Sequence, residues 1–268
     1  MLDHAASDWR RVEWADAGLR VDHDGPVVTI TLARPSVRNA QTPRMWRALT
    51  QIGAALPANT RVVVLSADGV SFSAGLDRAM FAGGIPGEPS LADLAVASDA
   101  DFDDVVQQYQ SAFTWWRESS AVSIAVVQGH AVGAGFQLAL ACDLRLVAHD
   151  VAFAMRETSL GLVPDLGGTS PLVAAVGYPR ALEICATGRW VHAPEAVASG
   201  LAQASVAPGE LGAATDDLVA ALLEAPEGAL RATKQLLAGA VGIPAGQQRE
   251  RERATQRHRI RALATGSG

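Results

Sequence analysis

Residues 119–142 read SSAVSIAVVQGHAVGAGFQLALAC, the longest part of the chain without a charged side chain. None of its 24 residues is Asp, Glu, Lys or Arg. A membrane-spanning helix would have to bury Gln128, His130 and Gln137 in lipid, which is energetically unfavourable. The β-branched run at 123–127, followed by small and apolar residues, instead predicts a buried strand and then a buried helix of a soluble protein.

Strands and helices alternate on both sides of this stretch. Residues 43–56 have apolar side chains at helical spacing, with Thr42 placed to cap the N-terminus and Pro43 in the first turn. Strands are predicted at 27–32, 62–65, 123–127 and 144–147, and helices near the end of the chain at 211–223, 228–237 and 247–263. The first strands are continuously apolar and separated by a helix. We therefore expect an α/β fold with a parallel sheet covered on both faces.

Charge and cysteine content exclude several classes of protein. The formal net charge is −6, so a nucleic-acid binder that works by neutralising phosphates is not expected. Cys142 and Cys185 are too few for a disulfide framework or a cysteine-based zinc site. The first residues show no signal-peptide pattern, and we expect a cytoplasmic protein with no membrane association. The acidic run at 99–104 is typical of a solvated helix face, and a lid over a pocket is the alternative.

Standard cofactor and metal motifs are missing from the sequence. It has no P-loop, no His-Glu-x-x-His pair and no dinucleotide fingerprint, and its six histidines form no ligand-spaced pair. Two glycine-bearing turns, at 72–77 and 129–135, follow buried strands instead. Free N–H groups in such turns can stabilise a developing negative charge, because small residues let the backbone approach a ligand. Taken alone, each turn could equally be a tight structural connection.

Five blocks of the sequence together resemble the crotonase (enoyl-CoA hydratase/isomerase) superfamily. They follow the family order and cover about residues 20–206, at 30–40, 72–77, 129–143, 160–169 and 187–201. The resemblance implies a crotonase-like spiral of ββα repeats over residues 1–207, with a C-terminal helical region over 208–268 that closes the site and makes trimer contacts. It further implies a homo-oligomer, either a trimer or a dimer of trimers, that acts on acyl-CoA thioesters. No metal ion is expected, and no cofactor beyond the coenzyme A of the substrate.

The resemblance also assigns two kinds of binding group. The oxyanion hole, which polarises the thioester carbonyl, falls on the backbone N–H groups of Leu76 and Ala134. The family usually has glycine at the second position, and alanine still presents its N–H. Arg38 corresponds to the basic residue near the CoA nucleotide, while Ala74 and Asp77 flank the path of the adenine and pantetheine. A solvated arginine without a ligand is the alternative for Arg38.

Hydratases of the family use two glutamates, and this chain keeps one of them. The first glutamate position is Gln137, and the second, 20 residues further on, is Glu157. Hydration needs one group that takes a proton from water and another that delivers a proton to carbon. Glutamine cannot exchange a proton near neutral pH, so we expect weak hydration.

Asp165, eight residues after Glu157, is a candidate for the second titratable group. In family members that move double bonds in dienoyl-CoA or rearrange ring acyl-CoA substrates, an aspartate at this position is catalytic. The alternative is that Asp165 only caps the helix expected near Gly167. The favoured interpretation is double-bond isomerisation by Glu157 with help from Asp165. The alternatives are hydration of a 2-enoyl-CoA and non-catalytic acyl-CoA binding.

Overall fold

Nine strands form two sheets in the computed structural model, which describes residues 14–81 and 83–265. In chain order they are β1 (Leu19–Asp24), β2 (Val27–Leu32), β3 (Val62–Ala67), β4 (Val122–Val127), β5 (His130–Val132), β6 (Leu144–Ala148), β7 (Ala152–Ala154), β8 (Val191–His192) and β9 (Ala204–Val206). The larger sheet has the order β1-β2-β3-β4-β6-β9 and the smaller one β5-β7-β8. From β2 onwards the larger sheet is parallel, as predicted, and β1 adds an antiparallel edge that the sequence analysis missed.

Ten α-helices lie within the same described ranges. In chain order they are α1 (Pro43–Ala54), α2 (Leu91–Val96), α3 (Asp99–Glu118), α4 (Ala134–Ala141), α5 (Thr169–Val176), α6 (Tyr178–Thr187), α7 (Ala193–Ala198), α8 (Leu211–Glu224), α9 (Glu227–Ala238) and α10 (Ala245–Ala264). Thr42 caps α1 by accepting a hydrogen bond from the Met45 N–H. The helices and strands predicted from sequence are confirmed to within two residues at each end. The acidic run forms the exposed first turns of α3, as expected of a solvated helix face.

The repeating unit of the fold is a long strand, a short strand and a helix. β4, β5 and α4 form one unit, and β6, β7 and the helices after them form the next. Isolated bridges from Gln41 to Leu76 and from Ser73 to Ala131 connect the corresponding turns of the earlier units. The short strands and turns therefore line up beside the larger sheet, which is the predicted spiral.

The larger sheet is buried on both faces, which explains why its strands are almost continuously apolar. On one face α1, α3 and α4 enclose the main core, in which Trp116 and Phe136 are fully buried. On the other face Val64, Ile124 and Val126 pack against α8. The uncharged stretch at 119–142 forms β4, β5 and α4, inside this core. No described helix is both long enough and apolar enough to cross a bilayer.

The last two helices pack against each other. The Arg251 guanidinium donates to the Gly239 carbonyl at 2.9 Å. Lys234 connects α9 to the residues that precede β4 and β6: its ammonium lies 2.7 Å from the Asp143 carboxylate and donates to the Ala121 carbonyl. No side chain of α10 is buried. The division of the chain at residue 208 stays a prediction, and α8, beyond that point, packs on the sheet.

Candidate active site

The two glycine-bearing turns lie against each other beyond the carboxyl ends of β3 and β4. Gly75 has φ +90°, and a Cβ added there would lie 2.6 Å from the Val132 carbonyl oxygen and 3.6 Å from the Ala134 nitrogen. A Cβ added to Gly135 would lie 2.6 Å from the Ser73 carbonyl oxygen. Only glycine permits such a close approach of one backbone to another. The contact brings Leu76, which follows Gly75, close to Ala134, the first residue of α4.

The N–H groups of these two residues, Leu76 and Ala134, are not used by the secondary structure around them. Gly75 and Asp77, on either side of Leu76, form backbone hydrogen bonds with Gln41, whereas the Leu76 N–H has no acceptor among the described residues. Ala134 begins α4, and the first N–H groups of a helix have no partner within the helix. Both groups are therefore available to a ligand, and the helix N-terminus favours negative charge there.

The buried hydroxyl of Ser73 holds the first turn in place. It donates to the Asn39 carbonyl at 2.8 Å and accepts from the Gly75 N–H and from the Gln41 amide, each at 3.2 Å. Gln41 in turn accepts a hydrogen bond from the Trp46 indole at 2.7 Å. A chain of buried side chains thus fixes the backbone next to Leu76.

Gln137 and Glu157 are in direct contact, as their motif positions imply. The Gln137 Nε2 donates to the Glu157 Oε1 at 2.7 Å. The Gln137 Oε1 accepts from the backbone N–H groups of Leu166 at 3.0 Å and Gly168 at 3.2 Å. These two donors fix which end of the amide is the oxygen. A Cβ on Gly168 would lie 2.7 Å from the Gln137 Cγ, so this contact depends on glycine.

The Glu157 carboxylate has one anchored oxygen and one free oxygen. Its Oε2 is buried and has no hydrogen-bond partner among the described residues. The carboxylate packs against Gly133, where an added Cβ would lie 3.3 Å from Oε1, and Gly133 directly precedes Ala134. Burial raises the pKa of Glu157 and the charge of Asp165 adds to this, whereas the hydrogen bond from Gln137 opposes it. A buried, unpaired carboxylate oxygen beside two free amides is suited to proton transfer.

The raised pKa of Glu157 has a measurable consequence for stability. Its folded-state pKa lies above its unfolded value, so the stabilising contribution of the protonated form is present at low pH and is lost as the pH rises through the folded pKa. We expect the Tm of Glu157→Gln, relative to the unmodified protein, to increase as the pH is raised from about 4 to 8. Thermal unfolding measures this, with the exposed Glu118→Gln as control. A relative Tm that falls with pH would contradict the expectation.

Asp165 lies close enough to Glu157 for its charge to raise the pKa of Glu157. The interpretation of Asp165 as a helix cap is wrong, because α5 begins at Thr169 with Gly168 at its N-cap. Asp165 lies at the surface, yet the surrounding atoms desolvate its carboxyl group and raise its pKa. The Asp165 carbonyl accepts a hydrogen bond from the Gln110 amide of α3 at 2.6 Å, a contact that the sequence analysis missed.

Arg38, Ala74 and Asp77 gather beside the first turn. The Ala74 N–H donates to the Arg38 carbonyl at 2.8 Å, and both residues are exposed. The Asp77 carboxylate accepts from the Ala79 N–H at 3.1 Å and pairs with the Arg34 guanidinium at 3.0 Å. Both oxygens of Asp77 therefore already have a structural partner, whereas the exposed Arg38 presents its side chain at the surface.

Comparisons with known proteins identify the family. A family model described as enoyl-CoA hydratase/isomerase matches residues 22–265. A "Probable enoyl-CoA hydratase" of Mycobacterium bovis is 31% identical over 188 residues, which cover 68% of this chain and 65% of that protein. The human mitochondrial Delta(3,5)-Delta(2,4)-dienoyl-CoA isomerase is 33% identical over 178 residues, which cover 65% of this chain and 54% of that protein. The chain thus spans less than two thirds of the length of these two relatives.

A solved structure matches more completely. A "putative enoyl-CoA hydratase" of Thermobifida fusca YX, in complex with CoA, is 48% identical with a TM-score of 0.89, and the match covers 94% of this chain and 96% of that chain. A second T. fusca structure, also 48% identical, contains acetoacetyl-CoA. The crotonase fold expected from the sequence is confirmed. The chain belongs to the enoyl-CoA hydratase/isomerase family, within the crotonase superfamily.

Proposed function

We propose that the protein moves the double bond of an enoyl-CoA thioester, with Glu157 as the base and an enolate as the intermediate. The observation that carries this proposal is the Glu157 Oε2, which is buried and unpaired while Oε1 is held by Gln137. Oε2 takes a proton from an acyl carbon, and the electron pair left behind moves onto the thioester oxygen. Return of a proton at a different carbon restores the carbonyl and leaves the double bond in its new position.

The free N–H groups of Leu76 and Ala134 would stabilise the enolate oxygen. Hydrogen-bond donors that are fixed in place before the reaction lower the energy of the charge as it develops, without reorganising. Arg38 and Ala74 would lie along the CoA. Asp77 would hold the end of the first glycine-bearing turn through its hydrogen bond from the Ala79 N–H and its ion pair with Arg34. The T. fusca structures with CoA and acetoacetyl-CoA support a CoA thioester as the substrate.

Asp165 is proposed as the group that exchanges a proton with the substrate alongside Glu157. If it has this role, Asp165→Asn should lower the isomerisation rate by at least about 10²-fold, because the amide cannot carry the proton. Initial rates at saturating substrate measure this, with the exposed Asp216→Asn of α8 as the control. A rate unchanged from that of the control would mean that Glu157 alone moves the proton.

The absence of any metal or nicotinamide requirement stays a prediction. Within the described residues no group of three or more His, Cys, Asp or Glu side chains is placed to hold a metal ion. We expect full turnover after exhaustive dialysis against a chelator, with nothing added but the acyl-CoA. Activity that is lost on chelation and restored by a divalent cation would contradict this.

Hydration of a 2-enoyl-CoA is the second candidate function. The M. bovis and T. fusca relatives carry the hydratase name, which favours it. Gln137 argues against efficient hydration, because the amide next to Glu157 can orient a water molecule but cannot exchange a proton with it. The human dienoyl-CoA isomerase is 33% identical, close to the 31% of the M. bovis relative, which supports isomerisation as well.

The assembly is proposed to be a homotrimer or a dimer of trimers, in the cytoplasm. The exposed side chains of Ile260 and Leu263 on α10, and of Leu237 on α9, support an assembly that covers these helices. Sedimentation of the purified chain tests this, and a monomer at micromolar concentration would contradict it.

A substrate screen tests the proposed function. Purified protein is incubated separately with 2-enoyl-, 3-enoyl- and dienoyl-CoA thioesters, and the products are identified by mass spectrometry and chromatography. We expect conversion of a 3-enoyl- or dienoyl-CoA into its positional isomer, with little 3-hydroxyacyl-CoA formed. Rapid formation of 3-hydroxyacyl-CoA from crotonyl-CoA would establish the hydratase instead. Tight binding of all these thioesters without turnover would indicate a non-catalytic binding protein.

A further inference from the structure

We infer that the segment 185–190, which runs from the last turn of α6 to the start of β8, positions Glu157, and that Arg156, Thr158 and Trp190 are positioning residues for the proposed base. The inference rests on the proposed function, because it concerns the same carboxylate. Trp190 lies in the family block at 187–201, but no motif assigns a role to it, to Arg156 or to Thr158.

The first contact follows Glu157 in the chain. The Thr158 hydroxyl donates to the Cys185 carbonyl at 2.6 Å. Cys185 lies in the last turn of α6, where carbonyl groups lack a partner within the helix and can accept from elsewhere. The Cys185 thiol is close enough to feel the charge of Glu157, since its pKa is raised by burial and further by that carboxylate. The end of α6 therefore lies directly beside the base.

The second contact precedes Glu157. The Arg156 guanidinium lies 4.9 Å from the centre of the Trp190 ring, within the range of a cation–π interaction. The His130 ring meets the same indole edge-on at 5.4 Å. Gly188, with φ +60°, lets the segment approach, because a Cβ there would lie 3.2 Å from the Met155 carbonyl oxygen and 3.5 Å from the Arg156 Cδ. Arg156 is thus packed against both ends of the turn at 188–190.

These two contacts hold the backbone on either side of the carboxylate. Glu157 is the first residue of a four-residue 3₁₀ helix that has no side-chain cap at its N-terminus. Such a short helix does not hold its own position. Anchoring Arg156 and Thr158 to one segment, while Gln137 holds Oε1, restricts the directions in which Oε2 can point. If either contact is lost, we expect the carboxylate to move away from Gly133 and to become hydrated.

Two variants remove the contacts, and two conservative ones retain them. Thr158→Val removes the hydroxyl at constant shape, and Thr158→Ser restores it; Trp190→Leu removes the aromatic ring, and Trp190→Phe retains one. The matched control is Thr215→Val, because Thr215 donates to the Leu211 carbonyl at 2.7 Å within α8, on the other face of the larger sheet. We expect kcat to fall by about tenfold or more in Thr158→Val and Trp190→Leu, with KM changed by less than about threefold. Thr158→Ser, Trp190→Phe and the control should stay near the unmodified protein.

A second measurement does not depend on turnover. The pKa of the Glu157 carboxyl group is followed by carbon-13 NMR of glutamate-labelled protein, with its resonance assigned from the spectrum of Glu157→Gln. We expect this pKa to fall towards an ordinary glutamate value in Thr158→Val and Trp190→Leu, and to stay raised in Thr215→Val. If Thr158→Val and Trp190→Leu match the control in both kcat and carboxyl pKa, the inference is wrong. If the unmodified protein isomerises no thioester, the proposed function fails, while the NMR titration still decides the positioning role.

Discussion

Replacing Glu157 by glutamine should lower the isomerisation rate at saturating substrate by about 10²–10⁴-fold. The glutamine has the same shape and can still accept the hydrogen bond from Gln137, but it cannot take a proton from carbon. The Leu76 and Ala134 amides are untouched, so the thioester should still bind. Initial rates measured over a range of concentrations of the best substrate of the screen give kcat and KM. We expect kcat to fall and KM to stay nearly unchanged.

The control for this substitution is Glu118→Gln, at the exposed end of α3. It makes the same chemical change away from the site and should leave both constants unaltered. Isomerisation by Glu157→Gln at a rate within about threefold of the unmodified protein would show that another group is the base, since a positioned base contributes far more than that.

Gln137→Glu should raise the hydration of crotonyl-CoA at least about tenfold, less than the 10²–10⁴ available to an ideally placed group. In this variant one oxygen of the new carboxylate takes the Leu166 and Gly168 N–H groups, which favour its ionised form. Its other oxygen replaces the Gln137 Nε2, which lies 2.7 Å from the Glu157 Oε1. Two carboxylates at that distance cannot both ionise, so they share one proton and provide an acid beside a base.

Gln137→Glu should also lower the rate of isomerisation. The two backbone N–H groups hold the new carboxylate ionised, so the shared proton resides mainly on Glu157 and the base is occupied near neutral pH. Hydration and isomerisation are measured on the same preparation across a range of pH, with the exposed Gln51→Glu of α1 as control. Efficient hydration by the unmodified protein, with no gain in the variant, would mean that the hydratase interpretation is correct.

The parts of the fold that were predictable are those with local causes. β2 is a β-branched run between turn residues, and α1 has a threonine cap and a proline in its first turn, so their bounds follow from nearby residues. β1 was missed because Leu19–Asp24 is mostly polar, and its exposed side chains alternate with partly buried ones at the sheet edge. The strand is stabilised by its pairing with β2, which its own sequence does not indicate.

Some contacts of the candidate site could likewise be predicted from the sequence, and others could not. The contact between Gln137 and Glu157 could be expected from the family motif, because the two positions are fixed relative to the glycine turns. Asp165 was ambiguous because Val-Pro-Asp-Leu-Gly-Gly contains cap-forming residues, and only the structure shows that α5 starts beyond them. The family block at 187–201 includes part of the segment 185–190 but does not indicate its contact with the turn of Glu157, since Thr158 and Cys185 are 27 residues apart and their contact involves a backbone carbonyl.

A crystal structure of Glu157→Gln with a bound 3-enoyl-CoA would show whether residue 157 faces the reacting carbon beside the oxyanion hole, because the slow variant should hold its substrate unreacted. We expect a thioester oxygen about 2.7–3.1 Å from both the Leu76 and the Ala134 nitrogens. We also expect the atom that replaces Oε2 to lie about 3–3.5 Å from the carbon that loses its proton. A thioester oxygen bound elsewhere, two amides that point apart, or residue 157 turned away from the acyl chain would mean that Glu157 and the two amides do not form the active site.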